Sequence, residues 1–209
     1  MLQKVLPVPY FVQPTPITCQ STCLKMYGKY VERKIGLSSI GASKSIQEIW
    51  AEINTGNERP VQARNAYQNM QWWLEKYYHP RKFEIFQTTN TETAIEHAKK
   101  KIDLGSPIMV STNHDRTAGH IILIIGYRQS IGGPVSQNVE FVCHDPYGKF
   151  DPQLGSKQFG ARRYEGGMSL AAGSEEGPGK GVVYDNDGIR RVREDKHSCG
   201  KFYLISAKS

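Results

Sequence analysis

Residues suited to nucleophilic acyl transfer occur at four positions of this 209-residue sequence: Gln13, Cys19, His120 and Asp145. Cys19 follows an extended, proline-rich segment and begins a run of apolar residues at helical spacing, which predicts that it starts a helix. A thiol at the N-terminus of a helix feels the positive end of the helix dipole, which favours the reactive thiolate. Cys19 is therefore a candidate nucleophile, and the alternative for an isolated cysteine is a small buried core residue.

Gln13, His120 and Asp145 complete a candidate site around this thiol. The amide of Gln13, six residues before Cys19, can fold back across a tight segment to donate a hydrogen bond to an oxyanion. His120 begins an apolar strand, so a rigid element would hold it as a general base. Asp145 follows the next predicted strand, and its carboxylate lies near His120 if the two strands are adjacent and antiparallel.

The elements that must position these residues change in type along the chain. Apolar periodicity and capping signals predict helices over residues 19–30, 46–53, 62–78 and 91–103. Short runs rich in β-branched residues predict strands over residues 108–112, 120–127, 139–144 and 202–206. Because helices occupy the N-terminal half and strands the C-terminal half, we expect an α+β fold with N-terminal helices packed on a mostly antiparallel sheet.

The length of the chain suits a single domain over residues 1–209 that contains one unusual segment. Residues 151–181 are rich in Gly and Ser and have almost no periodicity. A stretch of this length without regular structure is typical of a functional or mobile loop, and a disordered insertion is the equal alternative.

Charge and composition restrict the partners. Lys and Arg number 27 against 20 Asp and Glu, which gives a net charge of +7 and attraction to nucleic acid, teichoic acids or anionic membrane surfaces. The basic residues are scattered, and the sequence has no zinc-finger, aromatic RNA-binding or basic-zipper motif, so we expect no nucleic-acid partner. The longest apolar run, residues 121–125, is far shorter than the roughly 20 residues of a membrane-spanning helix.

The remaining cysteine and histidine residues offer weaker candidates. Cys23 lies one helical turn after Cys19, away from the helix N-terminus, and we expect it in the core. A zinc set can be imagined from four others: Cys143, His144, His197 and Cys199. This set lacks the paired Cys-x-x-Cys spacing of structural sites, so we predict neither a metal nor another cofactor.

Three motifs, in this order, resemble the papain-like cysteine peptidase superfamily: Gln-x5-Cys at a helix start, Gly-His before an apolar strand ending in Gly-Tyr, and Asp-Pro-Tyr-Gly. Over roughly residues 8–150 they look like the branch of double-glycine leader peptidases and their stand-alone relatives. This resemblance implies a papain-like fold and four roles: Cys19 as nucleophile, His120 as base, Asp145 as the group that orients the base, and Gln13 as oxyanion donor. One departure is that many relatives have Gly-Pro after the cysteine, where this chain has Gln20 and Ser.

A second resemblance involves the C-terminal part of the chain. Asp-Pro-Tyr-Gly at residues 145–148, a Gly-rich loop and Gly-Lys-Gly-Val-Val-Tyr at residues 179–184 are similar to papain-like hydrolases of bacterial viruses. Several of those look like lysins that degrade cell wall. The resemblance implies a peptide-containing substrate in the bacterial wall, an anionic matrix that suits the net charge of +7.

We therefore expect a cysteine-dependent hydrolase of peptide or isopeptide bonds that works through an acyl-enzyme, in particular an endolysin-like peptidase of peptidoglycan. The alternatives are a protease that processes proteins or leader peptides and, from another class, a non-enzymatic basic protein that binds nucleic acid. The N-terminus shows no secretory signal, and four cysteines without evident pairing fit a reducing compartment. This interpretation implies synthesis in the cytoplasm and action on the wall after release.

Overall fold

The computed structural model describes residues 1–36, 40–112, 120–130, 139–151, 164–165, 173–184 and 202–208. Helices in these residues are α1 (Cys19–Ile35), α2 (Ile40–Ser43), α3 (Ile46–Asn54), α4 (Tyr67–Tyr77) and α5 (Thr91–Asp103). Strands are β1 (Leu2–Val5), β2 (Phe83–Thr88), β3 (Ile108–Thr112), β4 (His120–Gln129), β5 (Val139–His144), β6 (Lys149–Phe150), β7 (Tyr164–Glu165), β8 (Val182–Tyr184) and β9 (Phe202–Ala207). Within the described ranges, no helix is long and apolar enough to cross a membrane.

Helix α1 is the buried centre of the molecule. It begins at Cys19 as predicted but continues past residue 30 to Ile35, and it ends at Gly36, which takes a left-handed conformation with φ 66°. Its first turn is entirely buried, and it packs against β4 and α3. One tie to the sheet is direct, because the Cys23 thiol donates a hydrogen bond to the carbonyl oxygen of Ile121 at 3.4 Å.

Capping decides where the next helices begin and end. The predicted capping box opens α3, where Ser45 and Glu48 exchange side chain–backbone hydrogen bonds. The predicted bounds of α5 are confirmed, and the Asn90 side chain caps its first turn. The prediction of a helix from residue 62 is wrong, because Asn65 takes φ 60° and a right-handed helix cannot include that conformation, so α4 starts at Tyr67.

The main sheet has the strand order β2-β9-β3-β4-β5-β8, with β1 also paired to β4, and all of these pairings are antiparallel. Strand β4 is the longest, with its first eight residues buried between neighbouring strands and α1. Strands β6 and β7 form a separate two-stranded sheet. The helices lie in the N-terminal part and pack on this sheet, so the predicted α+β architecture is confirmed.

The strands that the sequence pattern does not reveal lie at the margins. Strands β1, β2 and β8 are short or partly exposed, and β2 and β8 form the two ends of the strand order. Edge strands bury one face at most, so they lack the continuous apolar run that identifies β3 and β4.

Candidate active site

Cys19 is the first residue of α1 and directly follows a turn that Thr18 closes by hydrogen bonds to Thr15. The backbone N–H of Thr18 donates to the carbonyl oxygen of Thr15 at 3.3 Å, and the Thr18 hydroxyl donates to the same oxygen at 2.9 Å. This turn ends the extended proline-containing segment, so α1 begins at the next residue. The first N–H groups of a helix have no acceptor within it, which makes the position of the Cys19 sulfur electropositive.

His120 and Asp145 meet at one end of a strand pair. Strands β4 and β5 are antiparallel with Leu123 opposite His144, which brings the start of β4 beside the residue that follows β5. The Nε2 atom of His120 lies 2.7 Å from Oδ1 of Asp145, and both side chains are fully buried. The strands therefore hold the imidazole and the carboxylate in one geometry, away from water.

Two further donors bind the Asp145 carboxylate. The backbone N–H of Tyr147 donates to Oδ1 at 3.1 Å, and the hydroxyl of Tyr184 donates to Oδ2 at 2.9 Å. Burial, and then the Asp145 charge, raise the pKa of Tyr184, so its hydroxyl keeps the proton that it donates. The same hydroxyl accepts a hydrogen bond from the N–H of Phe150 at 2.9 Å. These bonds fix the carboxylate and satisfy both of its oxygens.

The His120 ring lies between the Asp145 carboxylate and the Cys19 thiol. Burial by itself lowers the pKa of His120, but the charge and hydrogen bond of Asp145, together with a hydrogen bond and charge interaction with Cys19, raise it to about 9. Because Asp145 occupies Nε2, Nδ1 is the ring nitrogen that is left to exchange a proton with the thiol. The arrangement can therefore hold a proton between thiol and imidazole, with the carboxylate stabilising the imidazolium form.

Gln13 is buried in the turn that precedes α1. Its backbone N–H donates to the carbonyl oxygen of Pro146 at 2.9 Å, which joins this segment to the turn after β5. Its side-chain Nε2 donates to the carbonyl oxygen of Thr15 at 2.6 Å, while Oε1 makes no hydrogen bond within the described residues. An amide nitrogen carries two N–H groups, so one remains after the bond to Thr15.

The last part of the Gly-rich segment packs against the site. The N–H of Val12 donates to the carbonyl oxygen of Ser174, and the N–H of Asp145 donates to that of Gly179, both at 2.9 Å. A Cβ atom at Gly179 would overlap the carbonyl oxygen of Asp145, so glycine is required for this close approach. Residues 173–181 of the predicted loop thus hold the backbone on which Asp145 stands, and residues 152–163 and 166–172 lie outside the described part of the chain.

Aromatic rings enclose His120 on the side of the small sheet. The ring centroids of Tyr164 and Tyr147 lie 5.9 Å and 6.4 Å from that of His120, both in edge-on geometry. Tyr164 is held there by pairing with Phe150 between β6 and β7. An apolar enclosure lowers the local dielectric, so the Asp145 charge acts more strongly on the imidazole.

Sequence reasoning did not identify Tyr184 or Tyr164 as part of the site. Tyr184 reaches Asp145 because β8 pairs with β5, with Val182 opposite Cys143, and that pairing cannot be read from spacing. Tyr184 ends the Gly-Lys-Gly-Val-Val-Tyr motif of residues 179–184, but an aromatic residue at the end of a short apolar strand is also the pattern of an ordinary core residue.

The other cysteine and histidine candidates have structural partners instead. Cys23 and Cys143 are completely buried, and burial raises the pKa of both thiols well above the usual range. Nε2 of His144 bonds the carbonyl oxygen of Val8 at 2.9 Å, and its Nδ1 accepts the N–H of Gly181 at 3.0 Å. No metal-binding cluster occurs among the residues that the structure describes, and His197 and Cys199 of the imagined zinc set lie outside them.

Comparison of the sequence with models of known protein families assigns this chain to a family. A family model described as the Peptidase_C39 like family matches residues 5–166, more than half of the chain. This protein belongs to the Peptidase_C39 like family. The match spans all four candidate residues, from Gln13 to Asp145. No curated protein sequence matches this Peptidase_C39 like chain.

Among solved structures, the crystal structure of UfSP from C. elegans is similar to this Peptidase_C39 like protein. The alignment covers 99% of this chain and 34% of that chain, with a TM-score of 0.51 and 12% sequence identity. This chain thus spans about a third of the UfSP chain, and at this identity the likeness concerns the fold. The matched family is described as Peptidase_C39 like and the α+β fold is similar to that of UfSP, and neither match concerns bacterial cell wall or phage lysins.

Proposed function

We propose that this chain is a cysteine peptidase in which Cys19, His120 and Asp145 form the catalytic triad. The observation that carries the proposal is the bond of 2.7 Å between His120 Nε2 and Asp145 Oδ1, made inside the protein beside the thiol that begins α1. A nucleophile, a base and a group that orients the base are the parts that such a mechanism needs, and Cys19, His120 and Asp145 are of the residue types that supply them.

In this mechanism the Cys19 thiolate attacks the carbonyl carbon of a peptide or isopeptide bond and forms a tetrahedral intermediate. The carbon–nitrogen bond then breaks as His120 gives its Nδ1 proton to the leaving amine, which leaves a thioester on Cys19. His120 next removes a proton from water, and the resulting hydroxide attacks the thioester. The carbon–sulfur bond then breaks, the carboxylic acid leaves, and the Cys19 thiolate and the His120 imidazolium remain. Asp145 stays ionised and stabilises the imidazolium in both stages.

The negative oxygen of the intermediate would be stabilised by the Cys19 backbone N–H and by the second N–H of Gln13. The bond from Gln13 Nε2 to Thr15 supports this role, because it fixes the amide nitrogen in a buried position beside the start of α1. Loss of one such donor lowers kcat by roughly 100-fold or more, so Gln13→Ala is expected to lose about that factor.

The test of the nucleophile is hydrolysis by wild type, Cys19→Ala and Cys23→Ala. Cys23 is a matched control, since it is the next cysteine of the same helix, is fully buried and bonds only into the sheet backbone. We expect Cys19→Ala to abolish hydrolysis and Cys23→Ala to retain it when both are folded. Full hydrolytic activity in folded Cys19→Ala would contradict the proposal that Cys19 is the nucleophile.

We propose peptidoglycan peptides as the substrate, and the support is the net charge of +7, which attracts the protein to an anionic matrix. The alternative is processing of proteins or leader peptides, which the description of the matched family fits equally, since it names a peptidase and no substrate. Purified protein would be incubated with cell walls and, separately, with a panel of polypeptides, each beside Cys19→Ala. Loss of turbidity with released muropeptides supports the wall, whereas cleaved polypeptides with intact wall support the alternative.

Retention on DNA provides the remaining comparison. A non-enzymatic nucleic-acid-binding protein would show binding that weakens steeply with salt and is the same in wild type and Cys19→Ala. Such binding, together with no hydrolysis of cell walls or polypeptides, would contradict the peptidase proposal and support a nucleic-acid-binding protein.

A further inference from the structure

Three amide side chains form a hydrogen-bonded network that ends at the Cys19 sulfur. Nε2 of Gln20 donates to Oδ1 of Asn65 at 2.6 Å and lies 3.4 Å from Oδ1 of Asn54. On its other side, the Cys19 thiol donates to Oε1 of Gln20 at 3.7 Å. Gln20 and Asn54 are buried, whereas Asn65 is exposed in the loop before α4.

Backbone groups determine which end of each amide faces its neighbour. The N–H of Asn65 donates to Oδ1 of Asn54 at 2.8 Å, and Nδ2 of Asn54 donates to the carbonyl oxygen of Trp50 at 3.1 Å. Because a backbone N–H can only donate and a carbonyl can only accept, Oδ1 of Asn54 must be the acceptor. Gln20 therefore turns its nitrogen towards the two asparagines and its oxygen towards the thiol.

We infer that Gln20 is a positioning residue that accepts the S–H of Cys19 when the thiol is neutral and so raises the pH at which the thiolate forms, an inference that rests on Cys19 being the proposed nucleophile. An imidazolium at His120 donates through both ring nitrogens, so it offers the thiol proton no acceptor. Oε1 of Gln20 is the acceptor that this state needs. The same oxygen carries the negative end of the amide dipole, so it opposes the thiolate.

Gln20 links the Cys19 thiol to two segments outside the proposed triad. It directly follows the proposed nucleophile in the chain, and its partners lie in α3 and in the loop before α4. The network thus connects the ionisation of Cys19 to two segments that contribute no residue to the proposed triad.

The experiment measures the pH midpoint of Cys19 alkylation by iodoacetamide, since only the thiolate reacts. Mass spectrometry with peptide fragmentation separates Cys19 from Cys23. The other titratable groups near this thiol are unchanged in the variants: His120 from β4, Asp145 after β5, Cys23 from α1, and Tyr10, which interacts with Cys23 and Asp145. A shift of the midpoint therefore reports on Gln20.

Gln20→Met keeps the length of the side chain but removes the oxygen, and we expect the midpoint to fall by about 0.5–1 pH unit. Asn65→Gly removes one anchor of Gln20 and suits the local φ of 60°, so a smaller fall in the same direction is expected. Asn65→Asp keeps an acceptor for Nε2 and tolerates this backbone conformation, and its midpoint should stay at or above that of wild type.

An unchanged or higher midpoint in folded Gln20→Met would overturn the inference. If that variant does not fold, Asn65→Gly decides, because Asn65 is exposed, and an unchanged midpoint there overturns the inference equally. Alkylation needs no substrate, so this result is separate from the hydrolysis test. A lowered midpoint in a protein without Cys19-dependent hydrolysis would keep the role of Gln20 in thiol ionisation and reject the peptidase proposal.

Discussion

Replacement of Asp145 by Asn is expected to remove a pH dependence of stability that the His120–Asp145 pair creates. Against burial, which lowers the pKa of His120, Asp145 and to a smaller extent Cys19 raise it from its ordinary value of 6.5 to about 9. A group whose pKa is raised on folding stabilises the protein fully below its unfolded value and loses that contribution as pH rises through its folded value. Between pH 6.5 and 9 the change corresponds to about 3 kcal/mol of unfolding free energy.

The measurement is urea unfolding of wild type and Asp145→Asn at several pH values from 6.5 to 10. Wild type should lose more than the variant over this range, by up to about 3 kcal/mol, because the largest contribution that raises the His120 pKa against burial is the Asp145 carboxylate. Burial lowers the pKa of His97 and His144, so their contributions change only below pH 6.5 and do not interfere. His120→Gln is the control and should match Asp145→Asn. An Asp145→Asn protein with the slope of wild type would refute the reasoning.

Three further predictions concern the same site. The alkaline limb of kcat/KM should lie near pH 9, where His120 loses its proton, and a limb at its ordinary value of 6.5 in a pH–rate profile would contradict this. Tyr184→Phe removes the hydroxyl that bonds both Asp145 and the N–H of Phe150, so urea unfolding should show a loss of about 2 kcal/mol, and an unchanged stability would argue against these bonds. Gly179→Ala forces a methyl group onto the Asp145 carbonyl oxygen and should cost about 1–3 kcal/mol together with activity, whereas a wild-type melting curve would contradict the close approach.

The predictable part of the fold is the part with strong local signals. The capping box before α3 satisfies N–H groups within a few residues, and the apolar periodicity of α5 repeats within the helix itself, so the sequence alone located both helices. The strands β3 and β5 were located with their observed bounds for a similar reason, since mostly buried strands are rich in apolar and β-branched residues. The start of α4 was not located correctly, because Asn65 takes a left-handed backbone conformation that a right-handed helix cannot include, although the helical sequence pattern continues through it.

The residues of the candidate site could also be predicted from the sequence, whereas their contacts could not. Residue type and order along the chain indicated Cys19, His120, Asp145 and Gln13, and the structure brings His120 into contact with both Cys19 and Asp145. The Gln13 amide is held by Thr15 in the turn before α1, beside the backbone of Pro146. Their roles in hydrolysis stay predictions that the variants above test.

The sequence by itself determined the helix that presents Cys19, the strands that carry His120 and precede Asp145, and the α+β class, because each depends on residues near one another in the chain. Only the tertiary structure decided what surrounds them. Tyr184 reaches Asp145 through strand pairing, and Gln20 reaches Cys19 with its oxygen because Asn54 and Asn65 turn its nitrogen away. The contacts of Tyr184 with Asp145 and of Gln20 with the two asparagines join residues 34 or more positions apart, and the orientation of the Gln20 amide depends on the direction of a donor, which residue type and spacing do not specify.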